Sequence, residues 1–330
     1  MNATIAFVAG DPAGIGPELV AKVLAERAAL PAARIRLIAH RASLEAGAAA
    51  ARVVLALPAL SPRAAAASPE PLVRLEWSGW EAPAFAPAQA GAANGTFMLD
   101  ALRLALDLAQ RGEVDAVCFA PLNKAALRAG GMTQEDELRW FADVLKHDAP
   151  CGEFNVLEQL WTSRVTSHVP LKEVASLLSK EGVAEAIAML HGALRRAGNA
   201  APRIGVCGLN PHNGDNGSFG REEIDIIGPG VELAARRGHR AEGPYPADTI
   251  FVRARNGAFD GIVTMYHDQG QIAMKLMGFE RGVTVQGGLP VAITTPAHGT
   301  AYDIVGQGVA NTQAMRNALA LAARMGASAH

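Results

Sequence analysis

Three of the nine histidines stand where an apolar run gives way to a polar turn. They are His168 in TSHVPL, His212 in LNPHNGD and His267 in MYHDQG. Neutral imidazoles suit borderline divalent metals, and three of them with open positions make a catalytic rather than a closed structural site. A lone histidine in such a turn is more often just hydrogen-bonded there, but three in matching contexts point to a common centre. His40, His147, His191, His239 and His330 fall in polar, helical or terminal contexts and read as structural. Asp268 follows His267 directly and Asp248 lies in YPADT. Either carboxylate could orient a metal ligand or move a proton. Lys275, further along the same stretch, offers a point charge to a carboxylate or phosphate, or is a solvated surface lysine.

Two glycine-rich turns are the other chemical candidates. GDPAGIGPE (10–18) follows a strand-like run and opens a helix, with Pro17 suited to the first helical turn. Gly14 allows close backbone approach, either for a tight turn or for a ligand near a helix N-terminus. The GxGxxG fingerprint is absent, so a standard dinucleotide fold has no support. In HGTAYDIVGQG (298–308) the Asp303 carboxylate stands beside flexible glycines. It either caps a turn or binds ribose hydroxyls, where it would repel a 2′-phosphate.

The elements that must position these residues alternate. Apolar runs at 4–10, 34–39, 116–121, 203–209 and 261–266 read as buried strands, and helical periodicity appears near 17–29, 96–111, 171–179, 182–197, 221–237 and 312–325. This is the βαβ pattern of an α/β protein with a mostly parallel sheet. In such sheets the carboxyl ends of strands share one edge, where ligands bind. The best seam between domains lies at 123–133, NKAALRAGGMT. Cys118 and Cys207 fall inside apolar strands, and Trp140 and Trp161 read as packing residues or as the lining of an aromatic pocket.

Composition narrows the classes. With 330 residues, half of them apolar, the chain can bury a large core in about two domains. A net charge of −2 gives no basic surplus for nucleic acid or an anionic membrane. No apolar run is long enough to span a bilayer. Three widely spaced cysteines argue against a disulfide framework and suit a reducing cytoplasm.

GDPAGIGPE, APLNKAAL, TSHVPL, GLNPHNGDNGSFGREE, GPYPADT, MYHDQG and HGTAYDIVGQG together resemble the 4-hydroxythreonine-4-phosphate dehydrogenase (PdxA) family, in family order along nearly the whole chain. The first and last of these also resemble the isopropylmalate and isocitrate dehydrogenases. The resemblance implies a homodimer of two α/β subdomains, with residues 1–130 and 285–330 forming one and 131–284 the other. An active site would lie in the interdomain cleft at the dimer interface. It implies one divalent metal (Zn, Co, Ni, Mn or Mg) held by His168, His212 and His267 drawn from both subunits. The cofactor contacts would be Gly14, His298, Gly299, Thr300, Ala301, Asp303 and Ile304. Asp303-Ile304 matches the NAD-using pattern rather than the NADP one. The implied reaction oxidises a secondary alcohol β to a carboxylate and then releases CO₂; Asp248, Asp268 or a bound water carries the proton, and Lys275 anchors the substrate.

The phosphate-binding positions depart from the family. Asp136, Glu137 and Arg139 occupy a segment where the family has Gly-His-Thr-Glu, Thr284 replaces an Asn, and Ile293 replaces an Arg. Losing a guanidinium clamp and gaining acids disfavours a dianion, although Arg139 or Arg281 could compensate. The expected substrate is therefore a non-phosphorylated carboxylated diol such as terephthalate cis-dihydrodiol. The alternatives are 4-phosphohydroxy-L-threonine or a phospho-threonate or erythronate and, from other classes, a metal-dependent hydrolase or a non-catalytic binding protein.

Overall fold

The computed structural model describes residues 2–158 and 160–328; His330 lies outside them. The chain divides into two compact units, residues 1–148 with 289–330, and residues 149–288.

The first unit opens with β1 (Thr4–Val8), whose five residues are all buried, as a strand covered on both faces requires. Gly10 then turns the chain at φ +73°, and a Cβ there would meet the Ala120 carbonyl oxygen at 2.4 Å; only glycine fits. The helix Gly16–Ala25 follows with Pro17 in its first turn, where a missing N–H costs nothing. Next come β2 (Arg34–Ile38), β3 (Ala59–Leu60), β4 (Leu72–Leu75) and β5 (Ala116–Phe119).

The second unit holds β6 (Gly152–Leu157), β7 (Leu160–Arg164), β8 (Ile204–Cys207), β9 (Glu242–Tyr245), β10 (Gly261–Thr264) and β11 (Val283–Gly287). The chain then returns to the first unit as β12 (Ala292–Pro296) and the helix Gln313–Ala327. Strand order is β3-β4-β2-β1-β5-β12 in the first unit, with every pair parallel. In the second it is β11-β6-β7-β10-β8-β9. There β7, β10, β8 and β9 run parallel, while β6 is antiparallel to both its neighbours.

The five sequence-read strands are thus strands, each slightly shorter than its apolar run. The stretch 171–179 yields only short helical turns, Leu171–Glu173 and Val174–Leu177. The observed seam at Asp148 and Ala149 lies beyond the one read at 123–133. The helix Glu137–Leu145 explains the difference: its Phe141 is fully buried and packs 5.7 Å from the Phe119 ring at the end of β5. That apolar contact holds residues 131–148 to the first unit. Trp140 and Trp161 are 4% and 3% exposed, packed against Phe141 and Phe154 respectively, so both are core residues.

Candidate active site

In the second unit three consecutive strands of the sheet, β7, β10 and β8, are mutually parallel. Their carboxyl ends therefore lie along one edge. His168 follows β7, His267 follows the central β10, and His212 follows β8. All three candidate ligands leave the sheet at that edge, and so does Asp248, exposed beyond β9.

The local backbone at each is specialised. His168 has φ +52°, as does His212, a left-handed conformation uncommon outside glycine. His212 begins a run of positive φ from 212 to 217. Glu223, 4% exposed, holds this loop. Its carboxylate accepts from the backbone N–H groups of Leu209 and Asn210, both at 2.7 Å, and from the Asn210 amide at 3.0 Å. Asn213 donates to the Pro244 carbonyl at 2.5 Å. Along the sequence Glu223 is one acid among several in REEID (221–225); only its burial singles it out.

His267 opens the helix His267–Gly278. Gln269 ties that turn down, accepting from Met265 N–H at 2.7 Å and donating to the Gly208 carbonyl at 2.8 Å. The strand ends of β10 and β8 are thereby linked. The His168 and His267 rings lie 5.7 Å apart, centroid to centroid. His267 Nδ1 is 2.7 Å from Asp268 Oδ1. A carboxylate only accepts, so the ring proton belongs on Nδ1 and Nε2 keeps its lone pair. Two converging imidazoles, one with a carboxylate partner, suit a divalent metal. Among the described residues, no group of three candidate ligands forms within a single chain.

Beside this edge, Arg164 at the end of β7 donates to Glu153 at 2.8 Å, to Asn155 at 3.2 Å and to Ser167 at 2.8 Å. Asn155 also accepts from Gln271 at 2.5 Å. Thr284, half-buried on β11, sits opposite Asn155 in the ladder. Lys275 is exposed two turns along the helix from His267.

In the first unit the two glycine-rich turns are bound together. The Thr300 carbonyl accepts from Ile15 N–H at 3.1 Å, and a Cβ on Gly14 would stand 3.0 Å from the Thr300 side chain. Glu18, buried, accepts from Ala310 N–H at 2.9 Å and Gly308 N–H at 3.3 Å. Lys22 lies 2.7 Å from Glu18 and donates to the carbonyls of Gly308 and Ala310 at 2.8 and 2.9 Å. Between the turns lies a cavity of about 400 Å³, lined by Gly14, Pro17, Glu18, Ala46, Val305 and Gly306 among others. Asp303 is exposed, Ile304 half-buried, and His298 Nδ1 lies 3.1 Å from the Gly299 carbonyl.

The altered phosphate segment looks different in place. The Asp136 carboxylate caps the helix Glu137–Leu145, accepting from Arg139 N–H at 2.8 Å. Glu137 lies 3.8 Å from Lys124. Both side chains are thus engaged in local contacts that begin and flank this helix. Ile293 is 0% exposed in β12, opposite Val117. It is a core residue with no surface to offer a ligand, contrary to its sequence-level assignment.

The family model for the pyridoxal phosphate biosynthetic protein PdxA matches residues 21–322. The chain belongs to the PdxA family. A Pseudomonas aeruginosa protein named "Putative 4-hydroxythreonine-4-phosphate dehydrogenase 2" is 55% identical over 330 residues, 98% of this chain and 96% of that one. The D-threonate 4-phosphate dehydrogenase of Cupriavidus necator is 38% identical, over 96% of this chain and 95% of its own. The solved 4-hydroxythreonine-4-phosphate dehydrogenase of Klebsiella pneumoniae superimposes with a TM-score of 0.86 at 33% identity, covering 99% of this chain and 98% of that chain. This PdxA-family chain is a dehydrogenase, an oxidoreductase acting on CH–OH. The preference for a non-phosphorylated dihydrodiol is corrected by the same findings. A solved terephthalate 1,2-cis-dihydrodiol dehydrogenase of Burkholderia xenovorans reaches only 28% identity and a TM-score of 0.67 over 95% of each chain, well below the relatives named for phosphorylated substrates.

Proposed function

We propose that the chain is an NAD- and divalent-metal-dependent dehydrogenase of a phosphorylated hydroxy acid, 4-hydroxythreonine 4-phosphate or D-threonate 4-phosphate. The observation that carries it is the pairing of His168 and His267, 5.7 Å apart, in a chain 55% identical to a relative named for such a substrate.

Each part has a role in this reading. His168 and His267 of one chain, with His212 contributed by the partner of a homodimer, would hold the metal, which would supply Lewis-acid stabilisation of the substrate oxygen and of the charge left by decarboxylation. The metal's identity is a matter of availability among Zn, Co, Ni, Mn and Mg. Asp268 fixes the His267 tautomer. Asp248, Asp268 or a water would take the substrate's hydroxyl proton, and bound NAD would supply the hydride acceptor, alcohol and NAD⁺ giving ketone, NADH and a proton. The β-keto acid then breaks its bond to the carboxylate. Lys275 and Thr284 of the second unit would meet the substrate's charged ends. His298, Gly299, Thr300, Ala301, Asp303 and Ile304, with Gly14 beneath them, hold the adenosine half of NAD. A cavity of about 400 Å³, lined by Gly14, Val305 and Gly306 among others, adjoins this loop and supports the reading.

The test is NADH formation with 4-hydroxythreonine 4-phosphate and with D-threonate 4-phosphate, metal added and then chelated. Turnover of at least one, lost on chelation and restored by metal, is expected; turnover of neither, with NAD or NADP, refutes the reading.

A further inference from the structure

Asp11, in the turn after β1, has 0% of its surface exposed. A buried carboxylate is costly unless its oxygens are well supplied with donors. Here Oδ1 accepts from Ala13 N–H at 2.9 Å and from the Asn94 amide at 3.2 Å, and Oδ2 accepts the Tyr302 hydroxyl at 2.5 Å. Asn94 is itself buried and also donates to the Gln89 carbonyl at 3.0 Å. Burial, and then the hydrogen bond and charge of Asp11, push the Tyr302 phenol far above its ordinary range, against a smaller opposing hydrogen bond with Asn123. The phenol therefore keeps its proton and remains a donor.

Tyr302 stands between Ala301, at φ +41°, and Asp303. Two residues before it, the Thr300 carbonyl accepts from Ile15 N–H. The segment that carries the NAD-type Asp303 is therefore pinned to the first glycine-rich turn at two points just before it. We propose that Tyr302, through Asp11, is a positioning residue that sets cofactor affinity and the preference for NAD by holding Asp303 in place before the cofactor arrives. The proposal rests on the NAD reading above. A pre-ordered carboxylate repels a 2′-phosphate at a fixed distance, whereas a mobile one can swing away from it. The metal-binding histidines belong to the other unit, so a change at Tyr302 should alter cofactor binding without altering the rate at saturation.

The experiment compares wild type, Tyr302→Phe and Asp11→Asn in two measurements. One is amide hydrogen exchange over 298–308 in the cofactor-free protein. The other is NAD and NADP binding by calorimetry, with KM and kcat alongside. Expected for both variants are faster exchange in that segment, about tenfold weaker NAD binding, a narrowed NAD over NADP preference, and kcat within about twofold. Asp11→Asn keeps the argument testable should Tyr302→Phe fold poorly. Unchanged exchange and unchanged NAD affinity, or a fall in kcat with KM unmoved, would overturn this proposal alone. A wild type that binds no NAD would overturn the cofactor reading and this proposal with it.

Discussion

His267 Nδ1 lies 2.7 Å from the carboxylate of the very next residue, Asp268. Adjacent residues seldom point the same way; here the first turn of the helix His267–Gly278 bends the carboxylate back onto the ring. The contact orients the imidazole. Asp268→Asn should weaken metal binding about 10–100-fold while leaving the fold intact. Competition with a chelating indicator measures it; equal affinity in variant and wild type would remove Asp268 from the site.

Shared ligands make a stronger prediction. If, as proposed, His168 and His267 come from one chain and His212 from its partner, His168→Ala and His212→Ala should each be inactive alone. A mixed dimer of the two carries one intact set and one doubly broken set, by two-fold symmetry. It should regain about half of wild-type activity per dimer. Isolating the dimer with two affinity tags and assaying it decides the matter, since no recovery would place all three ligands differently.

Cofactor choice should follow the 303–304 pair. Asp303→Lys with Ile304→Tyr replaces a repelling carboxylate by an attracting ammonium. The ratio of kcat/KM for NAD over NADP is expected to fall by at least about tenfold, roughly 1.4 kcal/mol. An unaltered ratio would mean that neither side chain meets the ribose.

Glu18 joins the two glycine-rich turns through Gly308, Ala310 and Lys22. Its side chain is 3% exposed and that of Lys22 is 20% exposed. Removing one partner strands a mostly buried charge, so Glu18→Ala should cost about 3 kcal/mol of stability. Urea unfolding is the measurement, and a loss under about 1 kcal/mol would show that the clamp is solvated after all.

His191 and His239 bring their Nδ1 atoms to 3.4 Å. Burial first, then the charges of His239 and Arg195, lower the His191 pKa from its ordinary 6.5. The unfolded chain therefore binds the proton more readily than the native one. Stability should be full above about 6.5 and decline as the pH falls from there through the native value. His191→Asn should flatten that decline, as read by melting temperature between pH 5 and pH 7.5; a parallel shift of both curves would dissociate it from His191.

Which segments fold as strands, and which turns carry candidate ligands, could be read along the chain. Apolar runs such as TIAFV and GIVT declare burial on both faces, and polar turns after them expose His168, His212 and His267. Those signals are local, since side-chain type and period decide which surface is hidden from water. Neighbour relations are not local. That β10 lies between β7 and β8, that β6 runs against its neighbours, and that Phe141 holds the 131–148 segment to the first unit depended on the packed sheet. So did the bond between Asp11 and Tyr302, 291 residues apart, and the burial that turned Glu223 into a loop anchor and Ile293 into core. A residue type states which bonds it can make; only the closing of the chain, and the loss of water around it, determines which partner it meets and which of its atoms still face solvent.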